Sequence, residues 1–68
     1  MDLDNIFSHH APKGDQVDRY QELRLAGKQF AKMIERHTPP GADQAAAIRK
    51  VREAVMTANA AIALDGKL

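Results

Sequence analysis

Apolar residues recur along two stretches of this chain at alternating steps of three and four. In the first, Tyr20, Leu23, Gly27, Phe30 and Ile34 keep that spacing, and in the second Ile48, Val51, Val55, Ala58 and Ile62 repeat it. Such spacing is the a and d seam of paired helices, and it predicts helix one over 15–37 and helix two over 42–64. Asp15 stands where an N-cap acceptor is expected, behind the break Ala11-Pro12-Lys13-Gly14. Thr38-Pro39-Pro40-Gly41 ends the first helix, because proline has no N–H to donate and drives the preceding residue away from helical angles. Asp65-Gly66 stops the second. Residues 1–14 form a lead-in in which Leu3, Ile6 and Phe7 fall at i, i+3 and i+4, so one helical turn is expected to press them onto the body.

Two amphipathic helices joined by so tight a turn should pack as an antiparallel hairpin, although the same spacing also suits two helices of a larger bundle. With the turn centred near Gly41, residues whose numbers add to about 82 face one another, which sets Gly27 against Val55 and Ile34 against Ile48. Gly27 costs about 1 kcal/mol relative to Ala inside a helix, so its place in the seam points to a close backbone approach. The two edges of the hairpin then differ. One edge carries Arg24, Arg52 and Asn59. The other carries Arg19, Ala26 and Met33 on helix one and Ala47, Ala54 and Ala61 on helix two. That small, apolar edge suits a subunit contact; the alternative is that Ala stands there for helix propensity alone.

Size sharpens the expectation of assembly. The chain has 68 residues and no cysteine, and a single domain of about this length is marginal without staples or partners. A symmetric homo-oligomer of all-α hairpins is therefore expected. The net charge of +1, from ten basic and nine acidic residues, argues against a general DNA binder. The opening Met1-Asp2-Leu3-Asp4-Asn5-Ile6-Phe7 has neither the basic nor the apolar region of a signal peptide, and no run reaches membrane-spanning length. A cytosolic location and no membrane partner are expected.

The candidate chemistry lies mostly on the polar edge. Arg24 occupies a flank whose neighbours are Val17 and Ala31, an unusual place for a cation without an anionic partner. Its planar, permanently charged donors match a phosphate or a carboxylate, and Asn59 can both donate and accept toward a base or ribose edge. An ion pair of Arg24 with Glu22, Glu53 or Asp65, in the same or a neighbouring chain, accounts for it equally well. Asn59 is harder to explain structurally, since it interrupts Ala58, Ala60, Ala61 and Ile62 where a purely structural helix favours another apolar residue. His9-His10 could stack on a base or donate to a phosphate, or could simply be solvated or capping. A metal site is not expected there, because further ligands at suitable spacing are missing. Lys13 and Gly14 would add a charge and a close-approaching N–H to the same corner. With no cysteine nucleophile, metal cluster or phosphate-cradling glycine loop, neither an enzyme nor a cofactor is expected.

The stretch Phe7-Ser-His-His-Ala-Pro-Lys-Gly-Asp-Gln-Val-Asp-Arg-Tyr20, the Leu23-Arg24 step, the Thr38-Pro39 turn and the closing Ala58-Asn59-Ala60-Ala61-Ile62-Ala63 resemble the short phage-encoded helical hairpin proteins that counter bacterial CBASS and Thoeris immunity. The resemblance covers nearly the whole chain. It implies a sponge that holds cyclic dinucleotides, cyclic trinucleotides or cyclic ADP-ribose-type messengers without cleaving them, in the host bacterial cytoplasm. It also implies a small symmetric assembly, often a hexamer, with messengers between subunits. In that family a planar side chain of the N-terminal segment, often Tyr, and a Lys or Arg of the first long helix hold the ligand. Here those roles fall to His9 or His10 and to Arg24, with Lys28, one turn on, as a second phosphate contact. Arg49, Arg52 and Asn59 are the candidates for a trinucleotide site. Histidine in place of tyrosine gives a smaller stacking face and a protonatable nitrogen. Two rivals stay open: a structural or protein-interaction hairpin with no small-molecule ligand, and a helical regulatory nucleic-acid binder.

Overall fold

The computed structural model describes residues 2–8 and 14–65. Within them lie three helices, α1 (Leu3–Ile6), α2 (Gln16–His37) and α3 (Ala42–Leu64), and α2 and α3 pack along each other as a helical hairpin. No described helix is long and apolar enough to cross a membrane.

The short α1 is capped by Asp2, whose Oδ1 accepts from the Asn5 N–H at 3.1 Å. It does not press Leu3, Ile6 and Phe7 together onto the body: Leu3 is 59% and Phe7 83% exposed, and only Ile6 is half-buried. Phe7 is the C-cap and has already left helical angles at φ −97°, ψ 8°, so one turn is too short to carry all three to one face.

Asp15 also departs from expectation. It is the N-cap of α2, but its side chain caps nothing; instead Oδ1 lies 3.3 Å from Arg19 Nη2. An N-cap side chain reaches the free N–H groups from an extended backbone, whereas Asp15 sits at φ −87°, ψ 8°, directly after Gly14 in the left-handed region at φ +55°.

The turn between the long helices is tied from both sides. Thr38 adopts the extended conformation that a following proline imposes (φ −126°, ψ 148°). Its N–H and its Oγ1 donate to the Ile34 carbonyl at 3.0 Å and 2.6 Å. Gln44, in the first turn of α3, reaches back with Nε2 to the Thr38 carbonyl at 3.0 Å, to Thr38 Oγ1 at 3.1 Å and to the Glu35 carbonyl at 3.4 Å. These bonds serve carbonyls that the end of α2 would otherwise leave without intrahelical partners. At the open end of the hairpin, Gln16 Nε2 donates to the Ile62 carbonyl at 3.2 Å. Asp65 closes α3 in the left-handed conformation, its N–H directed at the Ala61 and Ile62 carbonyls.

Between these ties the seam is tight at one point. A Cβ built on Gly27 would lie 2.6 Å from Val55 Cγ2, so glycine is what lets the two helices approach there. Tyr20, Leu23, Gly27 and Ile34 of α2 are half-buried, as are Ile48, Val51, Val55, Ala58 and Ile62 of α3. Phe30 is not in the seam. It is 57% exposed and Ala31 is half-buried in its stead. A straight helix drifts by about 20° per heptad from the 3.5-residue repeat, and helices brought close at Gly27 leave room one turn later for a methyl rather than a phenyl ring.

No described residue is fully buried. The chain exposes 5566 Å², against about 4,200 Å² for a compact protein of this mass. Its radius of gyration of 14.6 Å likewise exceeds the ~11 Å of a compact chain of this length. The hairpin thus buries one stripe of each helix and leaves both edges of the seam open.

Candidate functional site

Each edge of the seam holds a groove, and the two have opposite character. The first, of about 350 Å³, is lined by Arg24 and Lys28 from α2 and by Arg52, Met56 and Asn59 from α3. Its floor is the seam itself, including Gly27, Val51 and Val55. The spacing explains the lining: residues 24 and 28 on α2, and 52, 56 and 59 on α3, are separated by three or four positions and share one face of their helix.

Three of the lining side chains are cations and none is a carboxylate. In a chain whose net charge is only +1, that concentration makes a local positive field over an apolar floor, which attracts anions and strengthens their binding. The only ion pair among the described residues is Arg19–Asp15. Arg24 therefore pairs with no described carboxylate of its own chain, and Glu22 and Glu53 do not neutralise it. Arg24 is exposed, and its guanidinium donors are taken by no ion pair among the described residues.

Asn59 adds a second unmet demand. It is half-buried, and its Oδ1 is shielded from solvent without a hydrogen-bond partner. A buried acceptor left unpaired costs about 1–3 kcal/mol, so it is poorly explained by the stability of the hairpin alone.

The opposite groove, of about 590 Å³, is walled by Ala26 and Phe30 from α2 and by Ala47, Ala54 and Ala58 from α3. Lys50 is the one charged residue in its lining. Gly27, Val51 and Val55 border both grooves, so the two lie back to back across the closest point of the hairpin.

Of the residues that sequence singles out, Arg24, Lys28, Arg52 and Asn59 come together in the first groove. Arg49 is exposed on α3 and does not line it. His9, His10 and Lys13 lie outside the described residues. Met56 was missed, although it falls between Arg52 and Asn59 at helical spacing and is 59% exposed. Its long, flexible thioether makes it an adaptable apolar wall. Lys50 was missed because it occupies an outward heptad position, and only the width of the second groove brings it into the lining.

Residues 2–63 match the family model of the Acb2/Tad1 hairpin domain. No curated protein and no solved structure matches the chain.

Proposed function

The chain belongs to the Acb2/Tad1 hairpin family, and from that premise we propose that it sequesters cyclic oligonucleotide messengers, cyclic dinucleotides in the first instance, without cleaving them. The observation that carries this reading is the groove in which Arg24, Lys28 and Arg52 stand around an apolar floor with no acidic residue among them. A cyclic oligonucleotide presents phosphodiester anions and flat bases with weakly polar faces and hydrogen-bonding edges. The cations answer the first, and the apolar floor with Met56 answers the second.

Size supports a shared site. A groove of about 350 Å³ is near the lower end of the roughly 300–1,000 Å³ typical of ligand pockets. A second subunit across a two-fold axis would supply each cation twice, in keeping with the near two-fold form of a cyclic dinucleotide. The protein then acts as a homo-oligomer in the host cytoplasm, a hexamer by the family's habit, in which it withholds the messenger from the effector that the messenger would activate. His9 or His10 stacks on a base, and Lys13 adds charge beside it. Arg49, with Arg52 and Asn59, serves a separate cyclic trinucleotide site.

Binding without turnover is part of this reading: the described residues that line the groove hold no carboxylate, imidazole, thiol or hydroxyl, the groups that ordinarily take a proton or attack phosphorus, and the imidazole of His9 or His10 is given a stacking role.

Calorimetry of the full chain with a panel of cyclic dinucleotides, cyclic trinucleotides and cyclic ADP-ribose-type compounds tests the proposal. Binding by at least one is expected, with the compound recovered chemically unchanged after denaturation of the protein. Arg24→Ala should weaken that binding by about 10- to 100-fold, the loss of charge-assisted hydrogen bonds worth ~1.5–3 kcal/mol. Absence of heat with every compound, in a folded protein, would leave a structural or interaction hairpin. Affinity for duplex DNA that falls steeply with salt would point instead to the nucleic-acid reading.

A further inference from the structure

We infer that Asn59 reads the base of the nucleotide held in the cationic groove: its Oδ1 accepts from an exocyclic amino group, so the site favours adenine, guanine and cytosine over uracil and hypoxanthine. The inference rests on the sequestration reading above and adds the residue that chooses among messengers, whether the nucleotide belongs to a cyclic dinucleotide or to a cyclic trinucleotide.

Among the described residues, Asn59 Oδ1 is the one shielded side-chain nitrogen or oxygen without a hydrogen-bond partner. Such an atom shed its water when the chain folded. A donor that meets it need only be dehydrated itself, so the bond formed contributes more than one between two solvated groups. An amide oxygen only accepts, and the partner must therefore be a donor. Phosphodiesters offer no donor and belong with Arg24, Lys28 and Arg52 in the same groove. What is left to Oδ1 is the edge of a base or a ribose hydroxyl.

Met56 decides between them. It precedes Asn59 by three positions and shares its face of α3, and both line the groove. Val51 and Val55 on the floor are half-buried, whereas Met56 stands 59% exposed, the raised apolar surface on which a flat ring can lie. A base seated there turns its edge toward Asn59. By the facing rule of the hairpin, which Gly27 and Val55 obey, Arg24 stands level with Asn59 and takes the phosphate of the same nucleotide. An exocyclic amino nitrogen projects beyond the ring and reaches a recessed oxygen. The ring N–H of uracil lies between two carbonyls and that of hypoxanthine beside one, whose lone pairs would face the same oxygen. The flexible thioether and the broad χ2 of an asparagine let that oxygen open onto the ligand.

The test is calorimetry of the full chain with matched cyclic dinucleotides and cyclic trinucleotides. Adenine and unsubstituted purine differ only in an amino group, as do guanine and hypoxanthine, and 2′-deoxyribose removes the competing hydroxyl. Loss of the amino group should weaken binding to the wild-type chain by about 5- to 100-fold, and 2′-deoxyribose should change it little. Asn59→Leu should bind amino-bearing and stripped ligands alike. Asn59→Asp keeps an acceptor and adds a negative charge, so it should bind every ligand more weakly and still prefer the amino-bearing one. It takes the place of Asn59→Leu if that variant loses its helical circular dichroism. Equal affinities of the wild-type chain for stripped and amino-bearing ligands, or a preference undiminished in Asn59→Leu, overturns the assignment and leaves sequestration standing. A loss that follows the hydroxyl instead of the amino group gives the oxygen to the ribose and overturns it likewise. No heat with any ligand, in a folded protein, overturns both.

Discussion

Replacing Gly27 by alanine should destabilise this protein, although the same change in an ordinary exposed helix would stabilise it. The propensity side is favourable, since Ala is better than Gly in a helix interior by about 1 kcal/mol. The steric side opposes it. The new Cβ would stand 2.6 Å from Val55 Cγ2, 3.7 Å from Val51 Cγ1 and 3.9 Å from Val55 Cβ. Carbon atoms in good contact are about 3.5–4.0 Å apart, so the first of these distances is short by roughly 1 Å. Valine in a helix is nearly confined to one rotamer, and Val55 lies in the middle of α3, half-buried with Val51 and Ala58 one turn away on either side. Relief must come from an off-rotamer valine or from helices that move apart, and overpacking of this kind costs about 1–3 kcal/mol. The net expectation is a loss of up to about 2 kcal/mol, or a melting point lower by several degrees to about 15 °C in a domain of this size. Circular dichroism melts at a fixed, stated protein concentration measure it, because association shifts the midpoint. Val55→Ala removes the clashing methyl groups at its own cost. In combination with Gly27→Ala it should lose less than the two single losses together, with a coupling of about 1 kcal/mol or more. A Gly27→Ala protein that melts higher than wild type, with additive behaviour in the double variant, would refute the close approach of the helices at this point.

Three further outcomes follow from the same contacts. Asn59→Leu removes a shielded acceptor without a partner and improves helix propensity, so the fold should gain about 1 kcal/mol or more. A chemical-denaturation midpoint reads this, and calorimetry should show messenger affinity falling in the same variant; a loss of stability would mean that the assembled protein satisfies the Asn59 oxygen. Gln44→Ala deletes the bonds from Nε2 to the Thr38 carbonyl and Oγ1 and to the Glu35 carbonyl, and the thermal midpoint should fall by the equivalent of about 1 kcal/mol; an unchanged midpoint would show that the turn is held by its prolines alone. Arg24→Ala, an exposed residue with no described carboxylate partner, should leave stability within about 0.5 kcal/mol of wild type while binding weakens by about 10- to 100-fold, and parallel melts and titrations separate the two effects.

Periodicity alone carried much of the architecture. Steps of three and four mark one face of a helix whatever surrounds it, and a Pro-Pro turn cannot be helical, so the helical hairpin and the unlike character of its two edges were legible before any coordinates. The edge positions of a heptad follow from the seam by rotation, which is why Arg24, Arg52 and Asn59 could be set on one side and Ala47 and Ala54 on the other. What periodicity does not contain is distance. Whether Phe30 or Ala31 fills the seam depends on how near α2 comes to α3, and that is decided at Gly27 and Val55, residues 28 positions apart in the chain. The failure of Asp15 to cap depends on the φ and ψ that Gly14 hands to it. The exposure of Leu3 and Phe7 depends on how one short turn meets the hairpin. Least accessible of all was the state of individual polar atoms. A string of letters can place an asparagine level with an arginine, but only packing can shield its oxygen, withhold a partner from it, and leave three cations around one groove without a carboxylate among them.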